Sequence, residues 1–213
     1  MHYTELLRGV NAYHTEGENK DPSFPNSPYQ LDPEDDKFDI RYLDTVDEVR
    51  KAGVDYRRIS KAMVPFLKSS RIRVRINETE LTKAYQSVFQ QVHHWKLEEI
   101  SLRQFKDEIM QIFSRFSNVV RFTGASKALH VFNPDFFMMW DVKIRQGYGL
   151  HHDEEGYFNL LLRSQEDLQE IVQTYIKDHG VGRISQRIYQ GRLRSEVKLL
   201  DEYNFAKYTR NWI

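Results

Sequence analysis

Residues 77–92 have the sequence NETELTKAYQSVFQQV, and residues 101–116 have the sequence SLRQFKDEIMQIFSRF. Each stretch opens with two polar residues spaced as in a helix capping box, Asn77 with Glu80 in the first and a Ser-x-x-Gln pair in the second. Behind each pair, apolar residues recur at intervals of three and four, which is typical of the buried face of an α-helix. The two stretches therefore predict two helices that share one core.

The same periodicity predicts helices on both sides of this pair. Asp55 is placed to cap one upstream, residues 164–179 form another that Gly180 ends, and a last helix covers about 193–208. Residues 71–76, RIRVRI, alternate strictly, which fits a strand, a turn of helix or an extended connection. The predicted fold class is mainly α.

The N-terminal part of the chain has a different composition. Residues 1–44 contain four prolines, and proline cannot continue a helix interior because it has no backbone N–H. Aromatic residues lie between the prolines, which argues against disorder. We therefore predict an irregular, extended arm over residues 1–44 that packs on a helical domain of residues 45–213, with Asp44 or Thr45 capping that domain's first helix.

Composition excludes several classes of protein. The 213-residue chain has no cysteine, so disulfide scaffolds, thiolate zinc sites and cysteine nucleophiles are excluded. It has no apolar run of the roughly 20 residues that a membrane helix needs. The formal net charge is zero, although Arg71, Arg73 and Arg75 form a local basic cluster. We expect a cytoplasmic protein with no membrane association, no cofactor and no metal, and the sequence does not indicate an oligomeric state.

Residues 119–149, VVRFTGASKALHVFNPDFFMMWDVKIRQGYG, carry the functional signal. Thr123-Gly124 predicts a tight turn that ends one helix and begins a short one over 125–132. The free amides at the start of that helix would suit a phosphate. The apolar stretch PDFFMMW then crosses the core and delivers Asp141 to the start of another helix. The commonest role of such an aspartate is to cap the helix.

This order of elements resembles the core of the helix-hairpin-helix DNA glycosylase superfamily. In that family the hairpin grips the phosphate backbone, a lysine attacks the sugar C1′ in bifunctional members, and an aspartate stabilises the oxocarbenium-like transition state. The corresponding residues here are Thr123, Gly124, Ala125 and Ser126 for the hairpin, Lys127 for the lysine, Asp141 for the aspartate and Arg145 for a basic position that follows it.

The resemblance implies the fold of that family and a DNA partner with a modified or damaged base. The enzyme would extrude that base into a pocket and hydrolyse its N-glycosidic bond. Arg71, Arg73, Arg75 and Arg145 would contact phosphates, and Lys127 is either a lyase nucleophile or a phosphate contact. The candidate walls of the base pocket are Phe137, Trp140, Tyr148 and His130, all of which core packing explains equally well.

Two alternatives stay open. A non-catalytic DNA- or RNA-binding protein of the same fold would bind in a salt-dependent manner without cleaving. A helical interaction protein would use the acidic arm and exposed aromatic residues to dock a protein partner.

Overall fold

A computed structural model of the protein describes residues 1–14, 37–70, 72, 74–180, 182–189 and 194–213. This part of the chain is mainly helical and contains no strand. A 3-10 turn, Leu102–Phe105, precedes the fifth helix, and a π-helical turn, Phe205–Arg210, follows the ninth. The α-helices in chain order are α1 Tyr3–His14, α2 Lys37–Ala52, α3 Tyr56–Ser69, α4 Glu78–Val92, α5 Lys106–Phe132, α6 Val142–Gly147, α7 Glu154–His179, α8 Ile184–Tyr189 and α9 Glu196–Asn204.

Two predicted caps are present. Asp55 Oδ1 accepts a hydrogen bond from Arg58 N (3.0 Å), and Asn77 Oδ1 accepts one from Thr79 N (3.1 Å). Each bond satisfies an amide that the first turn of the helix leaves unpaired, worth about 1 kcal/mol. The helices predicted behind these caps are confirmed as α3 and α4.

Helix α5 lies at the centre of the fold and contacts α2, α3, α4 and α7. Aromatic rings fill these contacts. Phe113 of α5 stacks on Tyr157 of α7 with ring centroids 3.9 Å apart, and Phe116 meets Tyr85 of α4 edge-on at 4.9 Å. Because all four rings are buried, they remove a large apolar area from water and fix the faces that the helices present to one another.

The prediction of an extended arm is wrong for the described residues of 1–44. Residues 3–14 form α1, because Tyr3, Leu6 and Val10 recur at helical spacing and are buried. Helix α2 begins at Lys37, so Asp44 and Thr45 lie inside it rather than at its start. The four prolines lie in residues 15–36, outside the described part. Helix α1 packs on the rest of the described chain through α9 and α7.

The connection before α4 is not a strand. Ile72 and residues 74–77 have neither helical nor strand structure, and α4 begins at Glu78. Of the three interpretations of the alternating sequence, these residues fit the extended connection. Arg71 and Arg73 lie outside the described residues, and Arg75 is exposed.

The predicted turn at Thr123-Gly124 is wrong in position. The break in α5 lies at Arg121, which has φ 60° and ψ 172°. Gly124 lies inside the second half of α5, where a Cβ atom would come within 3.0 Å of Val120 Cβ. The glycine therefore allows close packing rather than chain reversal, and the exposed Arg121 has a backbone conformation that is essentially confined to glycine.

We expect Arg121→Gly to raise the free energy of unfolding by roughly 1 kcal/mol, because glycine adopts this conformation without strain. Chemical denaturation followed by circular dichroism measures the change. Arg115→Gly, an exposed position in the regular part of α5, is the matched control and should lower stability by about 1 kcal/mol. Equal destabilisation by the two substitutions would show that Arg121 carries no strain.

Candidate active site around Asp141

The segment that delivers Asp141 is fixed by the core. Asn133 begins it, and its Nδ2 donates to Val92 O (2.6 Å) and Trp95 O (3.0 Å). Further along, Tyr157 Oη donates to Met138 O (2.9 Å). Since these bonds satisfy buried backbone carbonyls, the non-helical segment can cross the interior at low cost. Its predicted path through the core is confirmed.

Asp141 caps α6 and is only partly exposed. Its Oδ1 accepts a hydrogen bond from Ile144 N (2.8 Å), and its Oδ2 accepts one from Thr209 Oγ1 (2.8 Å). The two bonds hold the carboxylate between α6 and the C-terminal π-helical turn. A carboxylate has about four lone-pair directions, so these two bonds leave acceptor capacity on both oxygens.

Ser126 links the second half of α5 to the Asp141 segment, because Trp140 N donates to Ser126 Oγ (3.2 Å). Lys127 directly follows Ser126 in the sequence, and Asp141 directly follows Trp140. The half-buried Lys127 acts on α9, however. Burial raises the pKa of Asp201, whereas the positive charges of Lys198 and Lys127 lower it. The positive charge of Lys127 therefore acts on the Asp201 carboxylate.

The predicted hairpin residues do not form a phosphate-binding surface. Gly124, Ala125 and Ser126 are buried inside α5, and Thr123 is half-buried. Arg145 is also engaged, since its Nη1 donates to Leu150 O (3.0 Å) and ties down the turn after α6. Arg121, at the break in α5, is exposed, and its sequence context carries no turn signal.

Three of the predicted pocket residues are core residues. Phe137, Trp140 and His130 are buried. His130 Nε2 lies 2.9 Å from Tyr42 Oη, and its Nδ1 bonds to Phe137 O. Burial and the nearby charge of Lys198 lower the pKa of His130 to about 3, so the ring is neutral. Of the four predicted pocket residues, only Tyr148 lines the cleft that the structure describes.

That cleft, which we call the tyrosine cleft, has a volume of about 510 Å³. It lies where α1, α6, α7 and the C-terminal residues meet. Tyr148 was predicted as a pocket wall, but no sequence motif brings Tyr148 together with Tyr203 and Tyr208. Its lining residues are Met1, Glu5, Gly147, Tyr148, Arg163, Glu166, Asp167, Tyr203, Lys207 and Tyr208.

A buried ion network on α9 was also not predicted. Glu202 pairs with Arg194, and its carboxylate lies 3.6 Å from Lys198 Nζ and 3.2 Å from His14 Nε2. Lys198 further pairs with Asp201 at 3.1 Å. All five side chains are nearly or fully buried. Burial alone would raise the pKa of Glu202, but Arg194 and Lys198 hold it well below its ordinary value.

Comparison of the chain with protein-family models, with curated proteins and with solved structures found no match. Across the described residues, no helix has the length and apolar character needed to cross a membrane. The same residues contain no group of three or more His, Cys, Asp or Glu side chains placed to hold a metal ion.

We expect Glu202→Gln to lower the free energy of unfolding by about 3–5 kcal/mol, because it leaves the buried charge of Arg194 uncompensated. Glu166→Gln, at an exposed position of α7, is the control and should change stability by less than about 0.5 kcal/mol. Urea denaturation of both variants and the wild type provides the comparison. Similar small effects would mean that water reaches the network.

The lowered pKa of His130 predicts a pH dependence of folding. The unfolded chain binds a proton at this histidine near pH 6.5, whereas the folded chain does so only near pH 3. Stability should therefore fall as the pH drops below 6.5, with His130 contributing up to about 1.4 kcal/mol per pH unit. Denaturation between pH 7 and 5 should give a shallower slope for His130→Gln. Parallel curves for wild type and variant would contradict the assignment.

Proposed function

We propose that this protein is a DNA glycosylase-like enzyme that hydrolyses the N-glycosidic bond of a modified or damaged base, with Asp141 as its essential carboxylate. The observation that carries the proposal is the fixed, partly exposed position of this carboxylate. It lies at the end of a buried segment and is held by Ile144 N and Thr209 Oγ1. The proposed site of action is cytoplasmic DNA.

The order of elements supports the proposal. The two halves of α5 meet at Arg121, a buried segment follows the second half, and Asp141 then opens α6. The same order defines the helix-hairpin-helix glycosylase core, so we include that fold in the proposal. The exposed Arg121 replaces the predicted Thr123-Gly124 turn as the position nearest to the phosphate backbone.

The chemistry needs a negative charge that does not move. As the bond between the sugar C1′ and the base breaks, positive charge develops on the sugar ring. The Asp141 carboxylate stabilises that charge, and its two hydrogen bonds keep it in place while the charge forms. Water then attacks C1′, loses a proton and completes hydrolysis, and the departing base nitrogen takes up a proton.

The binding protein without catalysis is the second candidate. It is favoured by the burial of Phe137, Trp140 and His130, which leaves none of these predicted pocket walls accessible to a base. In this alternative, Arg121 and Arg75 contact phosphates, and Asp141 serves only as a helix cap.

We expect Asp141→Asn to reduce base excision by about 100-fold or more, because it removes the stabilising charge. Asparagine caps a helix as well as aspartate does, so the fold should persist. The measurement is a scission assay on duplexes and single strands that contain uracil, oxidised purines, alkylated bases or modified cytosines, with alkali to reveal abasic sites.

Asp153→Asn is the matched control for this assay. Asp153 caps α7 by accepting a hydrogen bond from Gly156 N (2.7 Å), so the variant makes the same chemical change at a second helix start. It should retain full activity. Strand breaks without alkali that disappear in Lys127→Ala would add a lyase step. Full activity of Asp141→Asn would refute Asp141 as the essential carboxylate, and salt-dependent binding of the wild type with no scission would establish the binding protein.

A further inference from the structure

The tyrosine cleft offers flat aromatic surface beside polar groups. Its volume of about 510 Å³ is within the range of small-molecule sites. The rings of Tyr148 and Tyr208 have centroids 5.1 Å apart and planes tilted by 53°. A planar ligand can stack on either ring, since base–aromatic stacking depends on π faces and not on charge.

The cations of the cleft are already engaged. Arg163 Nη1 donates to Tyr148 O (2.6 Å), and Lys207 Nζ donates to Tyr203 Oη (2.8 Å) and pairs with Glu5 at 3.6 Å. A phosphate would have to compete for both. The remaining charged side chains of the lining are the carboxylates of Glu166 and Asp167. Asp167 lies 3.5 Å from Tyr148 Oη and 3.6 Å from the N-terminal ammonium group, which leaves lone pairs for a further donor. The cleft therefore suits an uncharged ligand that carries N–H donors.

Asp167 is the carboxylate best placed to recognise such a ligand by accepting a hydrogen bond from it. It is half-buried, with 26% of its side chain exposed, and burial raises its pKa despite the N-terminal ammonium group 3.6 Å away. A hydrogen bond to a partly desolvated carboxylate is stronger than one in water. Asp167 therefore gives the cleft a means of distinguishing ligands that carry a donor from those that do not.

The hydroxyl of Tyr148 can serve as donor or acceptor. It bonds to Asn204 Oδ1 at 3.0 Å, and the buried Asn204 Nδ2 has no hydrogen-bond partner in the described part of the chain. Rotating this amide exchanges its oxygen and nitrogen without breaking another bond. Tyr148 would then accept from Asn204, and a ligand carbonyl would compete for its proton with Asp167 Oδ2, which lies 3.5 Å away.

The cleft lies close to Asp141 along two paths. Thr209, which donates to Asp141, directly follows Tyr208 of the cleft. Helix α6 runs from Asp141 to Gly147 at the cleft, and its six residues span about 9 Å. The Asp141 end of α6 and the end at the cleft are therefore about 9 Å apart.

We propose that the tyrosine cleft binds a nucleobase with an exocyclic amino group, stacked on the ring of Tyr208 beside Tyr148 and donating an N–H to Asp167. The inference rests on the proposed function for its role, since it names the class of base that the enzyme would excise. Binding of the base does not require Asp141 or catalysis.

Isothermal titration calorimetry with free nucleosides tests the inference. Guanosine is compared with inosine, which lacks only the amino group at C2, and cytidine with uridine, in which a carbonyl replaces the amino group at C4 and N3 carries a hydrogen. The amino member of each pair should bind about 10-fold more tightly or better, as expected for a hydrogen bond to a charged group.

Two substitutions assign the binding to the cleft. Asp167→Ala should abolish the preference within each pair, whereas Asp178→Ala, an exposed aspartate further along α7, should leave it unchanged. Tyr208→Ala should weaken all four nucleosides about five-fold or more through loss of stacking. Tyr208→Phe keeps the ring and should retain affinity, which separates loss of stacking from loss of folding.

Equal affinity within each pair, or affinities that do not change in Asp167→Ala and Tyr208→Ala, would overturn the inference. So would the absence of nucleoside binding at concentrations up to about 1 mM. If the protein binds nucleosides in the expected pattern but fails the scission assay, the inferred base-binding cleft stands and the proposed enzyme function is refuted. If the protein cleaves but binds no nucleoside at the cleft, the proposed enzyme function stands and the inferred base-binding cleft is refuted.

Discussion

The carboxylate of Glu202 lies inside the protein between Arg194, Lys198 and His14, and the packing of both ends of the described chain depends on this interaction. An isolated buried charge would cost many kcal/mol, so each group is stable there only because the others are present. His14 ends α1, and the other residues belong to α9 or precede it. The network therefore joins α1 to α9 in one register.

This register matters for Asp141, because the π-helical turn that carries Thr209 continues directly from α9. A shift of α9 by one helical turn would move the C-terminal residues by about 5.4 Å and break the hydrogen bond from Thr209 to Asp141. Tyr208 would also leave its contact with Gly147, where a Cβ atom would lie 2.1 Å from the tyrosine ring. Apolar packing alone tolerates such shifts better than paired charges do.

Much of the helical fold was predictable, whereas the buried charges and the break in α5 were not. Caps such as Asp55 and Asn77 act within one turn, so their sequence spacing identifies them. Gly124 carries the sequence signal of a turn but serves close packing, and Arg121 has positive φ with no turn signal at all. Acids and bases at helical spacing, as on α9, usually indicate an exposed face. Only tertiary packing shows that they lie inside.

The position of Asp141 was predicted correctly, and its two hydrogen bonds suit both a structural and a catalytic role. A helix cap needs a carboxylate that accepts an N–H, and catalysis by charge needs a carboxylate that does not reorganise as the transition state forms. Ile144 N and Thr209 Oγ1 meet the first need and, in the proposed function, the second, because each holds one oxygen of the carboxylate. The buried segment 133–140 positions Asp141 at the start of α6, and the ion network positions the C-terminal turn that carries Thr209. The immobility of Asp141 therefore depends on residues that lie far from it in the sequence.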